Sequence, residues 1–186
     1  MPSLAAQRFS FSGLGWGEAF DASKSKLIEA GYTIGDLFTY PGRVGSFSLS
    51  FKGSIGGLPF MGSAQFYEAK LVSVKLDFPL DPRSRLDQIA AIEELVERRY
   101  GKGRHVKTTD RRDRTRTVWG QEPNETLSLT VTDRAGSTGS DSGVVLDYTS
   151  SKSHQISRQV EAEHKEKLRK QRTEEEAKKA AASSKL

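Results

Sequence analysis

Phe47, Leu49 and Phe51 alternate with serines, and Val72, Val74, Leu76 and Phe78 alternate with Ser73, Lys75 and Asp77. A period of two with one polar side predicts antiparallel strands that bury a single face. Phe60, Ala64 and Phe66 predict a returning strand, with Gly53 and the Gly56-Gly57 pair supplying the turn. Further strands are predicted around His105, over 115–119, at Leu127, Leu129 and Val131, and at Val144, Leu146 and Tyr148, with Gly136, Gly139 and Gly143 marking the loop between the last two. Phe9 and Phe11, separated by Ser10, predict one more strand ahead of the turn Gly13-Leu14-Gly15-Trp16-Gly17.

Two segments change to a helical period. Phe20, Lys24, Leu27 and Ile28 fall on one face, the lysine through its aliphatic stem, and Gly31 suits the left-handed position that ends a helix. Leu86, Ile89, Glu93, Val96 and Tyr100 step at helical spacing from a start near Asp81-Pro82 to Gly101. After Ser150 the apolar pattern stops, and Glu161 to Lys179 interleaves Glu with Lys and Arg as a solvated helix does.

These elements predict an α+β fold: antiparallel sheet with two helices over residues 1–150, followed by a charged, helical or partly disordered segment over 151–186. The order helix-then-strands recurs, so two tandem α-β4 repeats, 17–79 and 82–149, stand beside one irregular sheet as readings of the domain. In the repeat reading Leu27, Ile28 and Tyr32 align with Leu95, Val96 and Tyr100, and Val74, Leu76, Asp77 and Phe78 align with Val144, Leu146, Asp147 and Tyr148. In the order of its elements alone the chain resembles the tandem-repeat β-lactamase inhibitor proteins; no motif carries that resemblance, and no function or residue follows from it.

Charge adds one distinction. Residues 150–186 hold ten Lys/Arg and six Glu, net +4 of the chain's +5, so the preceding part is nearly neutral. Within that part, Lys102, Arg104, Lys107, Arg111, Arg112, Arg114 and Arg116 form the densest cluster, offset by Asp110 and Asp113 and followed by Trp119. Arginines that fork onto phosphates beside an aromatic that stacks on bases would make a nucleic-acid groove; the same residues would suit an acidic protein partner, or a solvated hairpin face. Cysteine is absent, which excludes disulfides and thiolate metal sites, and no apolar run is long enough to span a bilayer.

Other motifs are incomplete. Gly13, Gly15 and Gly17 lie between a strand and a helix with Asp36 downstream, but a dinucleotide-binding turn needs its third glycine one residue later and parallel βαβ units. Of three histidines, His154 and His164 fall in the charged segment, leaving His105 as the one candidate base, with no Gly-x-Ser-x-Gly elbow or His-Glu-x-x-His pair to complete a catalytic or metal site. Asp77 and Asp147 read as solvent-facing strand carboxylates.

The expectation is therefore a non-enzymatic, cofactor-free module, inhibitor- or adaptor-like, that binds a protein partner through the sheet face or a loop edge, with Arg104, Lys107, Arg111, Arg112, Arg114, Arg116 and Trp119 as binding residues. The alternative is a nucleic-acid-binding protein using the basic 102–116 segment and the basic tail. A deep polar pocket around His105 would point to an enzyme instead. As written the chain reads as cytoplasmic, as periplasmic or secreted if a signal segment preceded Ser3-Leu4-Ala5-Ala6, and as peroxisomal in a eukaryote through the terminal Ser184-Lys185-Leu186. Oligomeric state stays open, since an unpaired sheet edge can add a second chain.

Overall fold

The computed structural model describes residues 11–40, 45–107, 114–119, 125–132 and 143–183. Its elements are α1 (Phe20–Glu29), β1 (Thr33–Thr39), β2 (Ser46–Ile55), β3 (Leu58–Tyr67), β4 (Lys70–Phe78), α2 (Arg85–Tyr100), β5 (Arg104–Lys107), β6 (Arg114–Trp119), β7 (Glu125–Thr132), β8 (Gly143–Ser150) and α3 (Ser151–Ser183). The fold is α+β. All eight strands join one antiparallel sheet in the order β1-β2-β3-β4-β8-β7-β6-β5. No helix among the described residues is long and apolar enough to cross a membrane.

Alternation sets the two faces. Leu49, Phe51, Phe60, Ala64, Phe66, Val74, Leu76 and Phe78 are buried on the side that meets α1 and α2. The opposite face carries Ser50, Ser63, Lys75, Asp147 and Ser128 as one cross-strand row. Gly56 and Gly57, at φ 57° and 81°, make the two-residue β2–β3 hairpin, a conformation that favours glycine at both positions. Gly53 is not part of that turn. It lies inside β2, where an added Cβ would come within 2.4 Å of the Tyr32 ring.

Both helices end as expected, α1 at Gly31 with φ 83° and α2 at Gly101 with φ 80°. Their buried stripes differ from the expected ones. In α1 the stripe is Ser23 and Leu27 with Phe20 partly buried, and Ile28, one 100° step beyond Leu27, is 54% exposed. In α2 it is Ile92 and Val96, flanked by Ile89 and Tyr100, while Leu86 is 80% exposed. The start of α2 explains this. Asp81 to Ser84 form a turn closed by Ser84 N–H on the Asp81 carbonyl at 3.1 Å and capped by Arg83 N–H on Asp81 Oδ1 at 2.9 Å. Pro82 therefore serves the turn, and the helix begins at Arg85.

The expected strand at Phe9 and Phe11 falls partly outside the described residues. Phe11 itself is a buried turn residue whose carbonyl accepts Leu14 N–H at 2.9 Å. α3 follows β8 without a connecting loop and makes contacts with β8, β4 and β3. Glu161–Lys165 and Glu166–Lys170 form the i,i+4 pairs anticipated for a solvated helix.

Candidate functional site

β5 is the short edge strand at one end of the sheet, and its pairing with β6 puts different chemistry on the two faces of the hairpin. Arg104 lies opposite Val118 and Val106 opposite Arg116, and alternation places these residues on the outer face. His105 lies opposite Thr117 on the helix side. The same cross-strand row runs through every strand: Ile34, Phe51, Gly62, Leu76, Leu146, Leu129, Thr117, His105. It is apolar until its last two positions.

There the row opens into a groove of about 970 Å³ between β5–β7 and the N-terminal half of α2, lined among others by Leu86, Ile89, Glu93, His105, Thr117 and Val131. Burial of Ile92 and Val96 fixes the rotation of α2 and turns Glu93 toward the strands. Thr117, 4% exposed, donates its hydroxyl proton to Glu93 Oε1 at 3.3 Å. Its oxygen, 3.0 Å from His105 Nδ1, then accepts from that nitrogen. In the neutral imidazole this chain of bonds places the proton on Nδ1 of the exposed His105 and makes Nε2 the acceptor, with no partner for it among the described residues. Leu86, Ile89 and Val131 supply apolar wall beside that acceptor. The groove is open and mixed in character: Arg83, Asp87 and Glu93 line it together with the His105 imidazole and the aliphatic Leu86, Ile89 and Val131.

Trp119 belongs to the core. It is 3% exposed, sits on the helix side opposite Leu127, and donates Nε1–H to the Gly101 carbonyl at 2.8 Å. Its stacking role is corrected accordingly, since a base has no access to a ring held there. Gly103 keeps the ring in place, because an added Cβ would approach Thr117 and Trp119 atoms within 2.5–2.9 Å. Of the other expected binding residues, Arg104 is exposed and Arg116 half-buried on the outer face. Lys107 pairs with Thr115 and Arg114 with Thr132, while Arg111 and Arg112 lie outside the described residues. The structure thus brings Arg104 and Arg116 together and puts Trp119 on the other face.

Apart from His105, the residues lining the groove, Glu93, Thr117 and Leu86 among them, were not predicted from the sequence as site residues. Glu93 offered a signal, a carboxylate within an apolar helical stripe. Among the described residues no group of three or more His, Asp or Glu is placed to hold a metal ion. His154 and His164 lie in α3, and Ser184 to Leu186 lie outside the described residues.

Away from the groove, Glu161 and Lys165 on α3 shift one another through their hydrogen bond, and burial shifts two groups of the sheet. Burial raises the Asp77 carboxyl above its ordinary value, and nearby Lys75 offsets this in part. Burial, the neighbouring Tyr100 and a hydrogen bond with it push the Tyr148 phenol up. Asp147 differs from Asp77 in lying directly opposite Lys75, 3.9 Å from its ammonium. No family model, curated protein or solved structure matches the chain.

Proposed function

We propose that this chain is a non-enzymatic binding module that receives a segment of a partner protein in the groove between α2 and β5–β7. The observation carrying this reading is Leu86, 80% exposed on the rim of an open groove where Ile89 and Val131 stand beside the hydrogen-bonded Glu93, Thr117 and His105, with Arg83 and Asp87 also lining it. Apolar anchors set beside fixed polar and charged groups suit a recognition site, and about 970 Å³ suits a side-chain cluster of a peptide. Contacts of α3 with β3, β4 and β8 favour this edge over the outer face of the central strands. Selection of a random peptide library on the full chain tests the reading. Selected peptides should bind the Leu86→Asp variant at least tenfold more weakly and the Arg104→Glu variant within about twofold of the parent. Peptides indifferent to Leu86→Asp would refute it. A catalytic use of His105 would announce itself differently, as turnover lost in His105→Gln with ligand affinity kept.

A second reading, binding of nucleic acid, is favoured by Arg104 and Arg116 sharing the outer face of neighbouring strands. In that mode affinity falls steeply with salt, and reversal of either arginine weakens binding on all sequences alike. We also read residues 17–79 and 82–149 as two α-β4 units. In support, the strand order is mirrored about the β4–β8 pair, where Leu76 faces Leu146, Val74 faces Tyr148 and Phe78 faces Val144. Burial favours a helix alignment one residue away from the one expected, with Leu27 matching Val96 and Ser23 matching Ile92.

A further inference from the structure

α2 divides the helix side of the sheet into two openings. Leu86, Ile89 and Glu93 border the groove, whereas Leu95 and Arg99, on the other flank, overlook a separate cavity of about 260 Å³. Its walls include Phe11, Tyr32, Phe78 and Tyr148. The Phe11 ring stacks on Tyr32 with centroids 5.3 Å apart and lies 5.8 Å from Tyr148. Hydroxyl groups converge there as well: Ser12 Oγ and Tyr32 OH are 2.9 Å apart, and Tyr148 hydrogen-bonds Tyr100. Arg99 is the one charged residue among the described residues lining the cavity, its guanidinium 5.4 Å from the Tyr100 ring centre.

We propose that this cavity binds a small aromatic carboxylate, its ring among Phe11, Tyr32 and Tyr148 and its carboxylate toward Arg99. Size sets the class. An apolar cavity of about 150 Å³ accepts benzene, so the space here takes one substituted ring and is too small for a nucleotide or a folded peptide segment. Aromatic walls favour a flat ring in offset or edge contact. A guanidinium with no carboxylate among the described residues lining the same space favours an anion, and fork geometry favours a carboxylate. The buried Tyr148 phenol stays protonated, so it offers a hydrogen-bonding group instead of a competing negative charge. The groove reading plays no part in this assignment.

Titration of the isotope-labelled full chain with benzoate, benzyl alcohol and acetate, followed by amide NMR, tests it. Benzoate should give saturable shifts at Phe11, Tyr32, Tyr100 and Tyr148, benzyl alcohol should bind about tenfold more weakly, and acetate should leave these amides unmoved. Arg99→Gln changes an exposed side chain and should remove the preference for benzoate while ring binding persists. Absence of saturation by benzoate, equal affinity for benzoate and benzyl alcohol on the parent chain, or an undiminished preference in Arg99→Gln would overturn the proposal.

Discussion

The two ends of one cross-strand row have opposite fates. At the β1 end Phe51, paired with the partly buried Ile34, is closed over by aromatic rings: it is 1% exposed, and Phe11, Tyr32 and Phe60 lie within 5.9 Å of it, centroid to centroid. Gly62 makes room for that ring, since an added Cβ would sit 2.2 Å from it. At the β5 end the row finishes in Thr117 and His105, with Leu129 where the first end has Gly62, and a groove opens where the rings would be. The same sheet geometry thus supports a packed core at one end and an accessible, hydrogen-bonded histidine at the other. Side-chain choice at two strand positions, rather than backbone architecture, separates the scaffold from the site.

That contrast can be broken by mutation. Phe51→Ala should cost about 3–5 kcal/mol in urea unfolding, because it empties the centre of the aromatic cluster. A loss near 1 kcal/mol would mean that the cluster is no tighter than the groove. Thr117→Val, similar in shape, should cost only about 1 kcal/mol, since its partner His105 is exposed and can turn to water. The same variant should release the His105 tautomer, seen as a shift of its ring nitrogens toward the mixed-tautomer pattern. A tautomer unchanged in Thr117→Val would contradict the assigned chain of hydrogen bonds.

The smallest effect distinguishes Asp77 from Asp147, at matching places on β4 and β8 but with Lys75 facing only the second. Because burial raises the Asp77 pKa, the folded chain holds this proton to higher pH than the unfolded chain does. Its ionised form weakens the fold, a penalty that grows as pH rises from the unfolded to the folded value and is constant above. Asp77→Asn should therefore gain a few tenths of a kcal/mol at neutral pH and nothing in acid, the exposed position keeping the effect small. Stabilisation of equal size at both pH values would show that the carboxylate charge is not the cause.

Strands β2, β3, β4, β7 and β8 were legible in the sequence because each sets apolar residues on the helix side against mostly polar ones on the other, so a period of two is written in side chains even where Ser48, Ser73 and Ser128 on the second face are buried as well. Helix rotation was harder to read. Ile28 and Leu86 look like stripe residues, but their places were decided by the neighbouring strands and by an Asp81-Pro82 turn that postponed the start of α2. The site was hidden for a related reason. His105, Thr117 and Glu93 come from three elements, and only strand register and helix rotation together bring them within hydrogen-bond reach. Trp119 misled because aromatic-after-arginine describes a core strand end as well as a stacking surface.

The most direct test of the account is the amide-exchange footprint of a selected peptide on the full chain. The account predicts protection at His105, Val106, Thr117 and the first turns of α2, with β1 residues Thr33 to Thr39 unchanged. Protection confined to β1 or to the outer face, with exchange around His105 unaltered, would contradict it.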